Sequence, residues 1–115
     1  MAISITTPAS THGFIVNGVT TDARGCEVIV AAEVGKRHKI RHITVNSDGS
    51  STVTIGSGVS GAAVEVALIG PVAFSAGTTL QLDFNPPMWL PENKSLSVDA
   101  SAAVNLCIFC QGLTE

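Results

Sequence analysis

Charged residues are scarce in this chain, at 13% of 115 residues, and the nine acidic residues outnumber the six lysines and arginines. The resulting net charge of -3 argues against a general nucleic-acid-binding protein, because such proteins gain most of their affinity from Lys and Arg contacts with phosphates. Tyrosine is absent, so few aromatic side chains are left for a carbohydrate-binding rim. We therefore expect no nucleic-acid partner.

Long apolar runs and paired cysteines are missing as well. The most apolar region, residues 64–82, is interrupted by Glu65, Gly70 and Pro71, whereas a membrane-spanning helix needs about 20 predominantly apolar residues. The N-terminal segment has no lysine or arginine and does not look like a signal peptide. Three cysteines are an odd, sparse set, unlike a disulfide framework. We expect a soluble protein with reduced thiols and no membrane partner.

What the sequence does contain is alternation. Apolar and polar residues alternate in short segments separated by Gly, Pro, Asn and Ser, which is the period of half-buried strands. In chain order the segments hold Phe14 and Val16, Val28 and Val30, Ile43 and Val45, Val53 and Ile55, Val64 to Leu68, Leu80 to Phe84, Leu96 and Val98, and Val104 to Ile108.

About eight such strands, with almost no helical spacing, predict an all-β fold, namely a two-sheet antiparallel sandwich or jelly roll. We expect a single jelly-roll domain over residues 13–115. An extended N-terminal arm, residues 1–12, precedes it, because Pro8 and a run of Ser and Thr offer little to bury.

Three segments between residues 36 and 112 carry a resemblance: HKIRHITVNS, STVTIGSG and SAGTTLQLDFNPPMWLPENKSLSVDASAAVNLCIFCQG. Their layout is a glycine before an alternating strand, a proline-rich loop with an aromatic residue, an SLSV strand and a closing apolar strand. It resembles small jelly-roll proteins of tailed-bacteriophage virions, in particular head decoration, or cement, proteins.

The resemblance implies a homo-oligomer, with a trimer favoured, that binds the major capsid protein on the outer head lattice and stabilises it. It also implies location on the virion after synthesis in the host cytoplasm. The alternative hypothesis is a fibre-tip, receptor-binding or carbohydrate-binding jelly-roll module. That alternative predicts exposed aromatic residues at a loop-lined rim, and the shortage of aromatic residues is unfavourable to it.

The segment KRHKIRH, residues 36–42, holds four of the six basic residues. Lys39 and Arg41 have the same parity as Ile43 and Val45, so one regular strand through all four would bury two cations. Each unpaired buried charge costs several kcal/mol. The strand must therefore be interrupted in this segment.

Two interruptions fit the parity. Either the strand begins at about His42, or a bulge changes the register between Ile40 and Ile43. We favour the first, with residues 36–41 projecting from the edge of the sandwich. The segment is then simply the solvent-exposed start of a strand. The less favoured alternative is that it forms a docking patch for an acidic protein surface.

Histidines and cysteines do not form a recognisable site. His38 and His42 are four residues apart, whereas jelly-roll metal sites use His-x-His on one strand face. In a strand, Cys107 and Cys110 point to opposite faces, which places Cys110 in the core and Cys107 with Phe109 on the other face. The sequence also has no catalytic motif. We expect no metal, no cofactor and no enzymatic activity.

The segment NPPMWLPENK holds the only tryptophan. Its prolines fix φ and can present an apolar tip rigidly, so the segment is either a plug over one end of the sandwich or an interface anchor. The predicted partner-contact residues are Ile3, Ile5 and Pro8 in the arm, Lys36, Arg37, Lys39 and Arg41 in the basic segment, and Met88, Trp89 and Leu90 in the proline-rich segment.

Overall fold

The computed structural model describes residues 5–6, 12–21 and 24–115, and β-strands are the regular structure of these ranges. None of the described residues belongs to a helix that is long and apolar enough to cross a membrane. The strands are β1 (Ile5–Thr6), β2 (His12–Thr20), β3 (Glu27–Val30), β4 (His38–Ser47), β5 (Ser51–Ser57), β6 (Val66–Phe74), β7 (Thr79–Trp89), β8 (Leu96–Ala100) and β9 (Leu106–Thr114).

The strands form two antiparallel sheets, with the orders β1-β2-β9-β4-β7 and β3-β8-β5-β6. Apart from the two-residue β1, each strand of the first half pairs with its counterpart counted back from the end: β2 with β9, β3 with β8, β4 with β7 and β5 with β6. This pairing is a long antiparallel ribbon wound into two sheets, which is the jelly-roll arrangement. The prediction of an all-β jelly-roll sandwich is confirmed.

The core lies between the two sheets and is built from the inward parity of the strands. In β9 the alternation is regular: Leu106, Ile108 and Cys110 are fully buried, while Cys107 is exposed and Phe109 half-buried. This confirms the prediction for the two cysteines. In β3 Val30 is in the core as predicted, but Val28 is only half-buried, because a register shift between Val28 and Val30 brings Ile29 into the core at 0% exposure.

The basic segment is part of a strand, so the favoured start of this strand at His42 was wrong. β4 begins at His38, and its register against both β7 and β9 shifts between Ile40 and His42. Ile40 and Ile43, three residues apart, are both 0% exposed. The bulge thus lets the strand change parity and keeps Arg41 outside the core, which is the second of the two alternatives.

Prolines lie on the outermost strands. β7 is one edge strand of the five-stranded sheet, and β6 is one edge strand of the four-stranded sheet; β7 contains Pro86 and Pro87, and β6 contains Pro71. Proline lacks the N–H that a paired strand needs, so it is confined to edges or bulges, where it also opposes pairing with another chain. The segment predicted as a proline-rich loop is therefore, up to Trp89, the end of an edge strand.

Only part of the predicted arm, residues 1–12, is described. Ile5 and Thr6 form β1 and pair with Val16 and Ile15 of β2, so this part of the arm continues the five-stranded sheet. His12 is the first residue of β2 and belongs to the sandwich. Ile3 and Pro8, predicted to contact a partner, lie outside the described residues.

Candidate interaction surface

An exposed tryptophan lies between charged side chains at one end of the five-stranded sheet. Trp89 is 51% exposed. The Arg37 guanidinium carbon lies 4.7 Å from the centroid of its ring, and the Lys39 ammonium nitrogen lies 4.8 Å from it. Glu92 pairs with Arg37 at 4.0 Å and Glu115 with Lys39 at 2.8 Å. We call these five residues the Trp89 surface.

Strand pairing brings the two cations to the ring. Lys39 of β4 is the register partner of Trp89 in β7, so their side chains leave the same face of the sheet. Backbone hydrogen bonds continue this arrangement beyond the strands: Arg37 exchanges both of its bonds with Glu115, and the Leu90 N–H donates to the His38 carbonyl. The ring and both cations are therefore held on a paired backbone.

Two open depressions adjoin the tryptophan. One, of about 590 Å³, lies beside Arg37, Val66, Trp89, Pro91 and Glu92. The other, of about 340 Å³, is lined by Arg37, Lys39, Trp89, Glu92 and Glu115. An aromatic ring that contacts cations gains cation–π stabilisation and retains an apolar surface. The arrangement offers an apolar centre with a charged border of both signs.

The structure separates the predicted contact residues. It brings Arg37, Lys39 and Trp89 together, whereas Arg41 lies in another depression with His42 and Asp83. Leu90 was predicted as a contact residue; this was wrong, because it is 1% exposed and packs in the core. Within this segment Leu90 is therefore the buried residue and Trp89 the exposed one. Lys36 and Met88 are half-buried, and Met88 is the register partner of the core residue Ile40.

The two carboxylates of the Trp89 surface were not predicted from the sequence. Glu92 and Glu115 offset the charge of Arg37 and Lys39, so the basic segment does not form a purely positive patch. The alternating sequence pattern holds no signal for these partners, because the Lys39–Glu115 pair depends on the pairing of β4 with β9. This result makes the hypothesis of docking by positive charge alone less favourable.

A hydroxyl, an imidazole and a carboxylate form a chain on the outer face of the same sheet. His42 bonds through Nδ1 to Asp83 Oδ1 at 2.6 Å and through Nε2 to Thr44 Oγ1 at 2.9 Å. A nucleophilic triad has the same order of groups, but it also needs donors for a developing oxyanion. Thr44 lies in a strand paired on both sides, so the neighbouring backbone N–H groups are committed to the sheet. We assign no catalysis to this chain of groups.

His38 is a buried core residue. Its Nε2–H donates to the Ala31 carbonyl at 2.7 Å, and its Nδ1 accepts from the Thr114 hydroxyl at 2.8 Å. Phe14 meets the ring edge-on at 5.9 Å. Burial lowers the pKa of His38, although the Ala31 carbonyl and Glu33 partly oppose this shift. The neutral imidazole is the form that the fold stabilises.

We expect the free energy of unfolding to fall as the pH drops below the ordinary histidine pKa of about 6.5. In that window the unfolded chain binds a proton at position 38 that the folded chain does not, so stability rises with pH by at most about 1.4 kcal/mol per pH unit. Urea denaturation at several pH values in this range gives the free energy of unfolding as a function of pH. This free energy should depend less steeply on pH in His38→Gln, whose amide can replace both hydrogen bonds but does not titrate. Equal slopes in both proteins would contradict this account.

Each of the three cysteines has a defined environment. Cys26 and Cys110 are buried and Cys107 is exposed, all as free thiols. Burial raises the pKa of Cys110 to about 12, and burial together with Asp99 and Glu65 raises that of Cys26. Only thiolates attack disulfide reagents or bind metals readily. Among the described residues no group of three or more His, Cys, Asp or Glu side chains could hold a metal ion.

Thiol counting tests this assignment. In dilute native protein we expect one thiol per chain, that of Cys107, to react rapidly with an aromatic disulfide reagent. The other two should react only after denaturant unfolds the chain. A Cys107→Ser variant should lose the rapid phase, and rapid reaction of more than one thiol in the native protein would show that the core is open.

Comparisons with known proteins add no identification. No protein-family model and no curated protein matches the chain.

Proposed function

We propose that this protein decorates the head of a tailed bacteriophage: it binds the major capsid protein on the outer lattice as a homo-oligomer and stabilises the shell. The jelly-roll topology agrees with the fold that the resemblance implies for residues 36–112. In this proposal the protein acts on the virion surface after synthesis in the host cytoplasm, and its function is to add contacts between capsid subunits.

The Trp89 surface is the observation that carries the proposal. Interface centres are enriched in Trp and Arg, and their rims are polar. Trp89 is half exposed in the free chain, and paired backbone holds it beside Arg37 and Lys39. Docking this ring costs little conformational entropy, because its position is already fixed.

Repetition over a lattice explains how such a small surface is sufficient. Each copy contributes a modest contact, and linking several copies in one oligomer makes the second and third contacts effectively intramolecular. An oligomer that spans neighbouring capsid subunits therefore resists their separation. Both signs of charge at the Trp89 surface favour a partner surface that also carries both signs.

Co-sedimentation tests the proposal. Emptied capsids, assembled from the major capsid protein encoded in the same genome, are mixed with increasing amounts of the full chain and pelleted. We expect saturable binding at a fixed number of copies per capsid, and a higher capsid melting temperature. A chain that stays in the supernatant, or that binds at only a few sites per particle as a fibre tip would, overturns the proposal.

A further inference from the structure

A second surface lies on the outer face of the five-stranded sheet, along β2 and β9. Its outward residues form three cross-strand rows: Val19 beside Cys107, Asn17 beside Phe109, and Ile15 beside Gln111. We call these six residues the neutral face, because none of them carries a formal charge. Ile15 is 45% and Val19 39% exposed, so two large aliphatic side chains face solvent.

We propose that the neutral face is the surface through which this chain binds another copy of itself. This inference rests on the homo-oligomer of the proposed function and assigns its interface, but it does not depend on the capsid. The Trp89 surface lies at the end of β4 and β7, so one chain can use both surfaces at once.

The chemistry of the neutral face suits an identical partner. A surface with several charges of one sign repels its own copy, and this face has none. Its amides, Asn17 and Gln111, each contain a donor and an acceptor, so they can pair with the same groups of another copy. Interface cores are depleted of charged residues and have polar rims, and the Asp83 carboxylate, which is hydrogen-bonded to His42, lies at the border of this face.

The neutral face would form the centre of such a contact. Its six residues lie on two strands about 4.8 Å apart, so they supply only part of the roughly 800 Å² of accessible surface that a standard interface buries from each partner.

The outer face of the other sheet is less suited to such a contact. Chain between β5 and β6 lies across it: the Ser97 hydroxyl donates to the Gly58 carbonyl, and the Cys26 N–H donates to the Ala62 carbonyl. Ser97 is consequently 0% exposed although it points away from the core. This covering buries part of the outer side of the four-stranded sheet, whereas five of the six residues of the neutral face are exposed.

Sedimentation velocity tests the assignment with the full chain at micromolar concentrations, in low and high salt. We expect an oligomer that persists in high salt, because the contact contains no ion pair at its centre. Val19→Asp would place an unpaired charge in the contact, and we expect it to raise the dissociation constant at least about 100-fold. Thr52→Asp, on the outer face of the other sheet, is the matched control and should leave association unchanged.

Cys107 provides a second readout that needs no substitution. Its thiol lies in the neutral face, so its reaction with an aromatic disulfide reagent should slow as the protein concentration rises, and Val19→Asp should remove that dependence.

Circular dichroism confirms that each variant is folded. A wild-type chain that is monomeric at these concentrations overturns the proposal, and so does an oligomer that Val19→Asp leaves intact or that Thr52→Asp also dissociates. A monomeric chain that still binds capsids would overturn the self-association proposed here but leave the proposed capsid binding standing.

Discussion

Gly112→Ala is expected to lower the free energy of unfolding by about 2–3 kcal/mol, within the upper range for overpacked sites. A Cβ atom at position 112 would overlap the Lys39 carbonyl oxygen and would lie 2.6 Å from Cζ of Phe14. The first contact is with backbone that pairs Ile40 with Gly112 beside the bulge of β4. The added methyl group can be accommodated only if β4 and β9 move apart.

Urea denaturation measures this loss, and Gly49→Ala is the matched control. A Cβ at position 49 would meet only the side chain of Val104, at 2.9 Å, and a side chain can move without breaking strand pairing. We expect the control to cost less than about 1 kcal/mol, which is ordinary for a peripheral substitution. Equal stability of Gly112→Ala and the wild-type protein would contradict the register of β4 against β9.

Trp89→Ala is expected to weaken binding to capsids at least about 30-fold, which corresponds to the roughly 2 kcal/mol that defines an interface hot spot. The ring supplies the apolar centre of the Trp89 surface, and its removal leaves Arg37 and Lys39 without their aromatic partner. The isolated chain should lose little stability because half of the ring is exposed. Co-sedimentation isotherms and urea denaturation measure the two effects separately.

Trp89→Phe is the control for this prediction, since it keeps an aromatic ring for the two cations and should retain part of the affinity. Leu90→Ala should show the opposite pattern: it removes a side chain that is 1% exposed and should destabilise the fold by about 2–5 kcal/mol. A Trp89→Ala protein that fails to fold would show that Trp89 is a plug, and one that binds capsids normally would exclude it from the interface.

The fold class follows from the sequence because apolar and polar residues alternate in several short segments; buried and exposed positions alternate most regularly in β2 and β9. In β9 the inward residues Leu106, Ile108 and Cys110 and the outward residue Cys107 are all assigned correctly from parity. Alternation specifies which residues face the core, and enough such segments without helical spacing require two sheets that cover each other. Alternation alone left a simple sandwich and a jelly roll open, and the strand order could not be predicted; the jelly roll was what the resemblance implied.

The interruption in the basic segment could not be located from the sequence. A strand start at His42 and a bulge after Ile40 both keep Arg41 out of the core, so parity cannot distinguish them. The structure has the bulge, and Gly112 of β9 provides room for the Lys39 carbonyl at that point. A distant glycine thus decides a local question that the segment itself leaves open.

The candidate interaction surface was only partly predictable for a similar reason. The proline-rich segment identified Trp89 as a residue of interest, but the alternation around prolines does not show which of Trp89 and Leu90 faces the core. The carboxylates of Glu92 and Glu115 join the surface only through tertiary pairing. The neutral face was missed because parity was used to find the buried side of β2, whereas its exposed side carries Ile15 and Val19.

The most direct test is a cryo-electron-microscopy reconstruction of capsids mixed with an excess of the full chain. We expect jelly-roll density at regular lattice positions, with the end that carries Trp89 against the shell and the β2–β9 face against a neighbouring copy. A bare lattice, or density in which Trp89 points away from the shell, would contradict the proposed role.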